Sequence, residues 1–240
     1  MVLFPVIASV LAACCVVAVL HDYRARPKPD KVAWGIAFGI FAVAAGVEVV
    51  ASLSEWTPFL ARTYYVLGAT LVVGYLALGE MYLLMPRAWA DRLAGLVAFL
   101  TTLAVALVIR APVIGDVAAD GWEALDRGTG LTVLTISINS VGTLILVGGL
   151  LWSVWRLRRV GGMRNRAVGC LLIALGTLAV ASGGTLTRLG NHQYLYIAMT
   201  VGIALIFAGY TRARKPVTRP VEAPRSDQRE PVGSSAQAGG

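Results

Sequence analysis

Apolar residues run along this chain in long blocks, and the charged residues gather in short clusters between them. Each block approaches twenty residues, enough for a helix to cross a hydrocarbon core of ~30 Å. The blocks predict spans at 2–20, 32–53, 63–85, 93–109, 131–155, 167–187 and 194–210. Pro5, Pro58, Pro86 and Pro112 all sit at span margins, so uninterrupted helices are expected, without the broken segments of many ion-coupled carriers.

Composition agrees with this reading. Hydrophobic residues make up 57% of the chain and charged residues only 14%, where a soluble domain carries about 25% charged. The expected fold class is therefore an all-α integral membrane protein, a seven-transmembrane-helix bundle. The lipid bilayer is its first partner.

The basic residues give an orientation. Arg24, Arg26, Lys28 and Lys31 follow span one, Arg87 and Arg92 follow span three, and Arg156, Arg158, Arg159, Arg164 and Arg166 follow span five. Arg212, Arg214, Lys215, Arg219, Arg225 and Arg229 lie in the tail, while only Arg62, Arg110, Arg127 and Arg188 fall on the opposite side. Basic loops stay cytoplasmic, so the N-terminus is expected outside and the C-terminus in the cytoplasm, in a multi-pass protein of the cell (plasma) membrane. The same bias accounts for the net charge of +8 without nucleic acid as a partner.

LAAC at 11–14 resembles a lipoprotein cleavage box, but the first twenty residues contain no Lys or Arg and CVVAVL follows Cys14. Span one is therefore retained as a span. Cys14, Cys15 and Cys170 read as small buried apolar thiols. The segment 112–130 is acidic, with Trp122 and Leu125 spaced for a short interfacial helix. The tail 211–240, rich in Pro, Ser and charge, is expected to be disordered.

A weak self-similarity runs through the spans. FAVAAGVE (41–48) aligns with LAVASGGT (178–185), and YYVLGATLVVGYLALGE (64–80) with YLYIAMTVGIALIFAGY (194–210). Gly39 then pairs with Gly176, Gly46 with Gly183, Gly79 with Gly209, and Glu48 with Thr185. The domain reading is a transmembrane unit 1–210, in which 1–85 and 131–210 are parallel copies joined by a linker helix at 93–110. In helix count and orientation this three-one-three layout resembles the small seven-helix sugar transporters and the microbial opsins. It lacks the Pro-Gln pair of the former. Its only lysines, Lys28, Lys31 and Lys215, lie outside the spans, which excludes the retinal Schiff base of the latter.

The polar residues inside the spans carry the candidate chemistry. Glu48 is a carboxylate inside span two, and such groups are costly in lipid and turn toward the bundle interior, either to bind a substrate or proton or to tie span two to span six by a hydrogen bond or ion pair. Thr132, Thr135, Asn139 and Thr143 share one face of span five at 100° per residue. Such a stripe either lines a wet cavity or hydrogen-bonds a neighbouring helix, and four polar residues on one face favour the cavity. Arg188 and His192, at the outer ends of spans six and seven, are placed to supply positive charge. The expected substrate-binding set is thus Glu48, Thr135, Asn139, Arg188 and His192. Glu80 reads as an interfacial anchor drawn to Arg87, and Tyr64, Tyr65, Tyr194 and Tyr196 as an aromatic belt. Gly35, Gly39 and Gly46 on span two, and Gly169, Gly176 and Gly183 on span six, read as close helix contacts.

No Cys/His/Asp cluster has metal-ligand spacing, no phosphate-cradling loop appears, and no Ser–His–Asp set shares one depth. No cofactor, metal site or enzymatic activity is expected. The function expected is a small-solute or proton carrier or channel with an outward-facing polar pocket around Glu48. The alternative is a non-transporting sensor or accessory subunit that binds a membrane partner or a second copy within the bilayer.

Overall fold

A computed structural model describes residues 2–159, 163–187 and 193–213, the side chains of 183–187 and 193–196 excepted. They form an all-α bundle without a β-sheet among the described residues. The long helices are α1 (Leu3–Ala25), α2 (Pro29–Ser54), α3 (Pro58–Leu84), α4 (Arg87–Arg110), α5 (Gly128–Arg159), α6 (Arg164–Thr187) and α7 (Gln193–Ala213). Among the described residues six are long and apolar enough to cross a membrane, and in α7 the described apolar helix is the shorter Ile197–Ala213. This is a multi-pass membrane protein.

Every helix outruns its apolar block at one end or both, because polar and charged residues continue the helix into the interface. The marginal prolines explain where helices begin. Pro29 and Pro58 occupy first-turn positions, where the missing N–H costs nothing. Thr57 caps α3 by accepting a 3.3 Å bond from the Leu60 amide. α7 carries residues 211–213 of the expected tail as helix, and the remainder, 214–240, lies outside the described residues.

Six helices close a ring in the order α1, α2, α3, α5, α6, α7 and back to α1, with α4 flanking α3 and α5. α4 exposes most of its surface, since only 11% of its apolar window is buried. α6 and α7 make the closest approach. A methyl at Gly176 would meet the Gly202 carbonyl at 2.5 Å, and one at Gly169 would meet the Gly209 carbonyl at 2.7 Å. The spacing of seven repeats one contact two turns later. Side chains at 183 are not described, so Gly183 goes unassigned.

The glycines of α2 behave otherwise. A methyl at Gly35 would only touch Val19 at 3.6 Å, and one at Gly39 would meet nothing within 4 Å. Ala8, Ala12, Cys15 and Val19 are buried on α1, and the α1–α2 seam is fastened by the Ser9 hydroxyl, which donates to the Ala42 carbonyl at 3.1 Å. Cys14, expected to be buried, is exposed on α1 while Cys15 is buried, because adjacent helical positions point about 100° apart.

Two other expectations are corrected. α3 is not uninterrupted α-helix: Tyr65–Leu71 is π-helical. The segment 112–126 is not an interfacial helix but a folded cap. Helical turns at Val117–Asp120 and Gly121–Ala124 are closed by a Val113–Leu125 bridge, and the Asp126 amide donates to the Pro112 carbonyl at 2.9 Å.

Candidate functional site

The cap marks one end of the bundle, and the arginines of α5 and the α1–α2 loop mark the other. Toward the cap end, α2 presents Ala44, Ala45, Glu48 and Ala51 as one buried face. The alanines matter because α3 comes close there: a methyl on Gly68 would stand 3.2 Å from Ala44 Cβ and 3.4 Å from the Tyr64 ring. Glu48 lies one turn farther toward the cap on that face, is only 2% exposed and is not without a partner in the chain. The inward orientation expected of a carboxyl group in a span is what the structure shows.

The π-helical part of α3 forms the neighbouring wall. A π-helix displaces the carbonyls from their i+4 donors and is found frequently at functional sites. Here α5 supplies one donor to these carbonyls and the segment's own Thr70 another. The Asn139 side-chain amide donates to the Ala69 carbonyl at 2.7 Å and to the Thr135 carbonyl at 2.9 Å. The Thr70 hydroxyl donates to the Tyr65 carbonyl at 3.1 Å. Thr70 and Thr135 Oγ1 lie 3.3 Å apart, and the Tyr65 hydroxyl donates to Thr135 Oγ1 at 3.3 Å.

A hydroxyl has one proton to give, and that of Thr70 is already given to Tyr65. Thr135 must therefore donate to Thr70, and the chain of hydrogen bonds runs one way, from the Tyr65 hydroxyl through Thr135 and Thr70 back to the Tyr65 carbonyl.

Aromatic rings roof this region. Trp56 meets Tyr64 edge-on at 5.8 Å, and Trp122 of the cap packs on Tyr64 at 6.1 Å and Tyr65 at 6.0 Å. Arg127 lies over the Trp122 ring at 5.6 Å, and Arg62 ties α3 to the cap through the Ala111 carbonyl at 3.0 Å. Tyr64 and Tyr65 are 4% and 3% exposed, so they are core residues of the capped end and not a lipid-facing belt. The Tyr64 hydroxyl reaches Met199 Sδ of α7 at 3.9 Å, which joins α3 to the last helix across the bundle.

Of the five expected site residues, Thr135 and Asn139 share one network on α3. Glu48 sits on the α2 face that packs against the same helix. Arg188 and His192 lie outside the described residues, as do the side chains of Tyr194 and Tyr196. Thr70, 0% exposed, belongs to the network but carries no signal of its own in the sequence. Its role follows from the π-helix. Glu80 is not an interfacial anchor: it is 1% exposed, and Arg87 pairs instead with Asp91 at 3.8 Å. Neither a family model, nor a curated protein, nor a solved structure matches the chain.

Proposed function

We propose that this chain is a seven-span carrier or channel for a proton or a small polar solute. The cap and N-terminus lie outside the cell membrane and the arginine-rich end lies in the cytoplasm, as the distribution of Lys and Arg requires. Glu48 is the charged determinant. One observation supports this most: a carboxyl-bearing residue 2% exposed, held inside the bundle on the helix face that meets a π-helical wall. Carboxylates within spans mark ion and substrate paths. Thr135 and Asn139 add the hydroxyl and amide that would meet a solute when α5 releases α3. Arg188 and His192 remain the proposed sources of positive charge.

The three-one-three repeat is part of the reading, and the helix ring supports it. If α1–α3 correspond to α5–α7, the α3–α5 seam corresponds to the α7–α1 seam, and both exist. Gly79 meets Trp34 of α2, and its counterpart Gly209 meets Gly169 of α6. α4, the linker, stands outside the ring.

The test is Glu48→Gln in proteoliposomes loaded with a pH-reporting dye, with a potassium-diffusion potential as driving force. The wild type is expected to move protons and the variant to lose that movement while inserting normally. Undiminished flux in the variant overturns the role of Glu48.

A second reading has its own observation. Thr135 and Asn139 of the α5 stripe are hydrogen-bonded to α3, as a packing contact requires, and α4 leaves most of its length uncovered. Both favour a non-transporting sensor or accessory subunit with a partner in the bilayer. Single cysteines along 132–143, in a background lacking Cys14, Cys15 and Cys170, decide between the two. Labelling from the outer side at 135 and 139 supports the carrier, and protection at both supports the packed module.

A further inference from the structure

The arginine-rich half of the bundle holds a second buried acid. Glu80 of α3 lies against α5, where a methyl added at Gly149 would come within 2.7 Å of its Cγ and 3.0 Å of its Oε1. Any side chain at position 149 would evict it. The residue is 1% exposed, and no described residue gives it a hydrogen bond or an ion pair.

The groups around it explain why. From α6 the Cys170 thiol lies within electrostatic reach, and Arg166 acts on that thiol from one turn farther out. From α5 comes the bare backbone of Gly149, and on α3 itself Leu84 shares the same seat, while the Trp34 indole of α2 packs on the neighbouring Gly79. Arg87 is turned to Asp91, which also accepts from Tyr82 at 2.9 Å.

The Trp34 side chain makes the same point independently. It packs on Gly79, the residue before Glu80. Its ring N–H is buried with no acceptor among the described residues. The buried donor belongs to α2 and the buried acid to α3, one position from the glycine on which the indole packs. Among the described residues the donor has no acceptor and the acid no hydrogen bond or ion pair. Each omission costs free energy, and native proteins satisfy nearly all such groups. An anchor for the fold would pair them.

We propose that Glu80 is a proton-exchange site, which takes up and returns one proton through water admitted between α3 and α5 from the arginine-rich end. The ligand is the proton itself, because among the described residues no cluster of metal-ligating side chains surrounds the carboxyl. An uncompensated charge at this depth is costly, so hydration of the seat and loss of the proton go together. Exchange at Glu80 thereby couples the separation of α3 from α5 to the pH on that side. The inference stands whether or not Glu48 handles a solute.

Infrared difference spectra of the reconstituted protein, titrated from acid to alkali, test it. One carboxylic-acid carbonyl band should bleach on titration, shift in heavy water, persist in Glu48→Gln and vanish in Glu80→Gln. In parallel, dicyclohexylcarbodiimide, which adds only to the protonated acid, should modify wild-type Glu80. Its adduct, located by mass spectrometry, should fall about tenfold per pH unit above the midpoint. This arm needs no variant that might misfold. A Glu80-dependent band that no accessible pH bleaches would show a locked structural acid and overturn the proposal. So would the absence of both band and adduct.

Discussion

The Asn139 side-chain amide donates a 2.7 Å hydrogen bond to the Ala69 carbonyl, so a side chain of α5 completes the backbone of the π-helical segment in α3. One residue thereby does two things: it joins two helices, and it satisfies a carbonyl in a stretch of altered backbone bonding. Asn139→Ala should cost about 1 kcal/mol, above the ~0.6 kcal/mol mean of interhelical bonds in membranes. Denaturation in mixed micelles measures this, and a loss at or below that mean would show that water replaces the amide.

Thr135→Val removes the relay between the Tyr65 hydroxyl and Thr70 while keeping shape. Its cost should be roughly 0.5–1.5 kcal/mol, and because Asn139 acts on the same segment, the two substitutions should not add. A double-mutant cycle that gives strict additivity would separate the two contacts.

The α6–α7 seam depends on glycine at defined positions. Gly176→Ala places a methyl 2.5 Å from the Gly202 carbonyl, a backbone clash that only helix separation relieves, at about 1–3 kcal/mol. Gly39→Ala meets nothing within 4 Å and should be neutral, or stabilising by roughly 0.5–1 kcal/mol through helix propensity. Thermal unfolding in detergent should rank Gly39→Ala above wild type and Gly176→Ala well below it.

The cap rests on Trp122 and on a backbone that glycine makes available. Gly121 has φ 59°, and a side chain there would also press on Trp56 at 3.0 Å. Gly121→Ala should destabilise the cap by about 1–3 kcal/mol from the backbone alone, because φ 59° with ψ −131° is a conformation that a residue with a Cβ rarely adopts. Hydrogen exchange should then rise across 112–126 and leave α6 and α7 unchanged, whereas uniform exchange would show that the cap does not unfold separately.

Tyr210 closes the other end of the ring. Its hydroxyl donates to Asp22 Oδ2 at 2.8 Å, and its ring stands edge-on to Phe38 at 6.4 Å. Tyr210→Phe keeps the ring contact and removes the bond, so a loss of about 1.5–3 kcal/mol reports an interaction with a charged acceptor. Unchanged stability would mean that water takes over at this membrane face.

The sequence by itself determined the membrane class, the positions of the spans and the expectation that Glu48 turns inward. Burial of apolar length and the cost of a charge in hydrocarbon are properties of each segment alone, so they survive without knowledge of neighbours. Helix register and partners are different. Glu80 reads as an anchor because Arg87 is near in sequence, yet Asp91 holds that arginine from one turn along α4. The α5 stripe reads as a cavity lining, and only the π-helical segment of α3 shows where its hydrogen bonds go. The glycines of α2 and α6 both read as close contacts, yet Gly169 and Gly176 of α6 meet the backbone of α7 while those of α2 meet nothing nearer than 3.6 Å. In each case the residue has the right chemistry, and the tertiary structure chose its partner, because hydrogen bonds and clashes extend only a few ångströms and depend on which helix is adjacent.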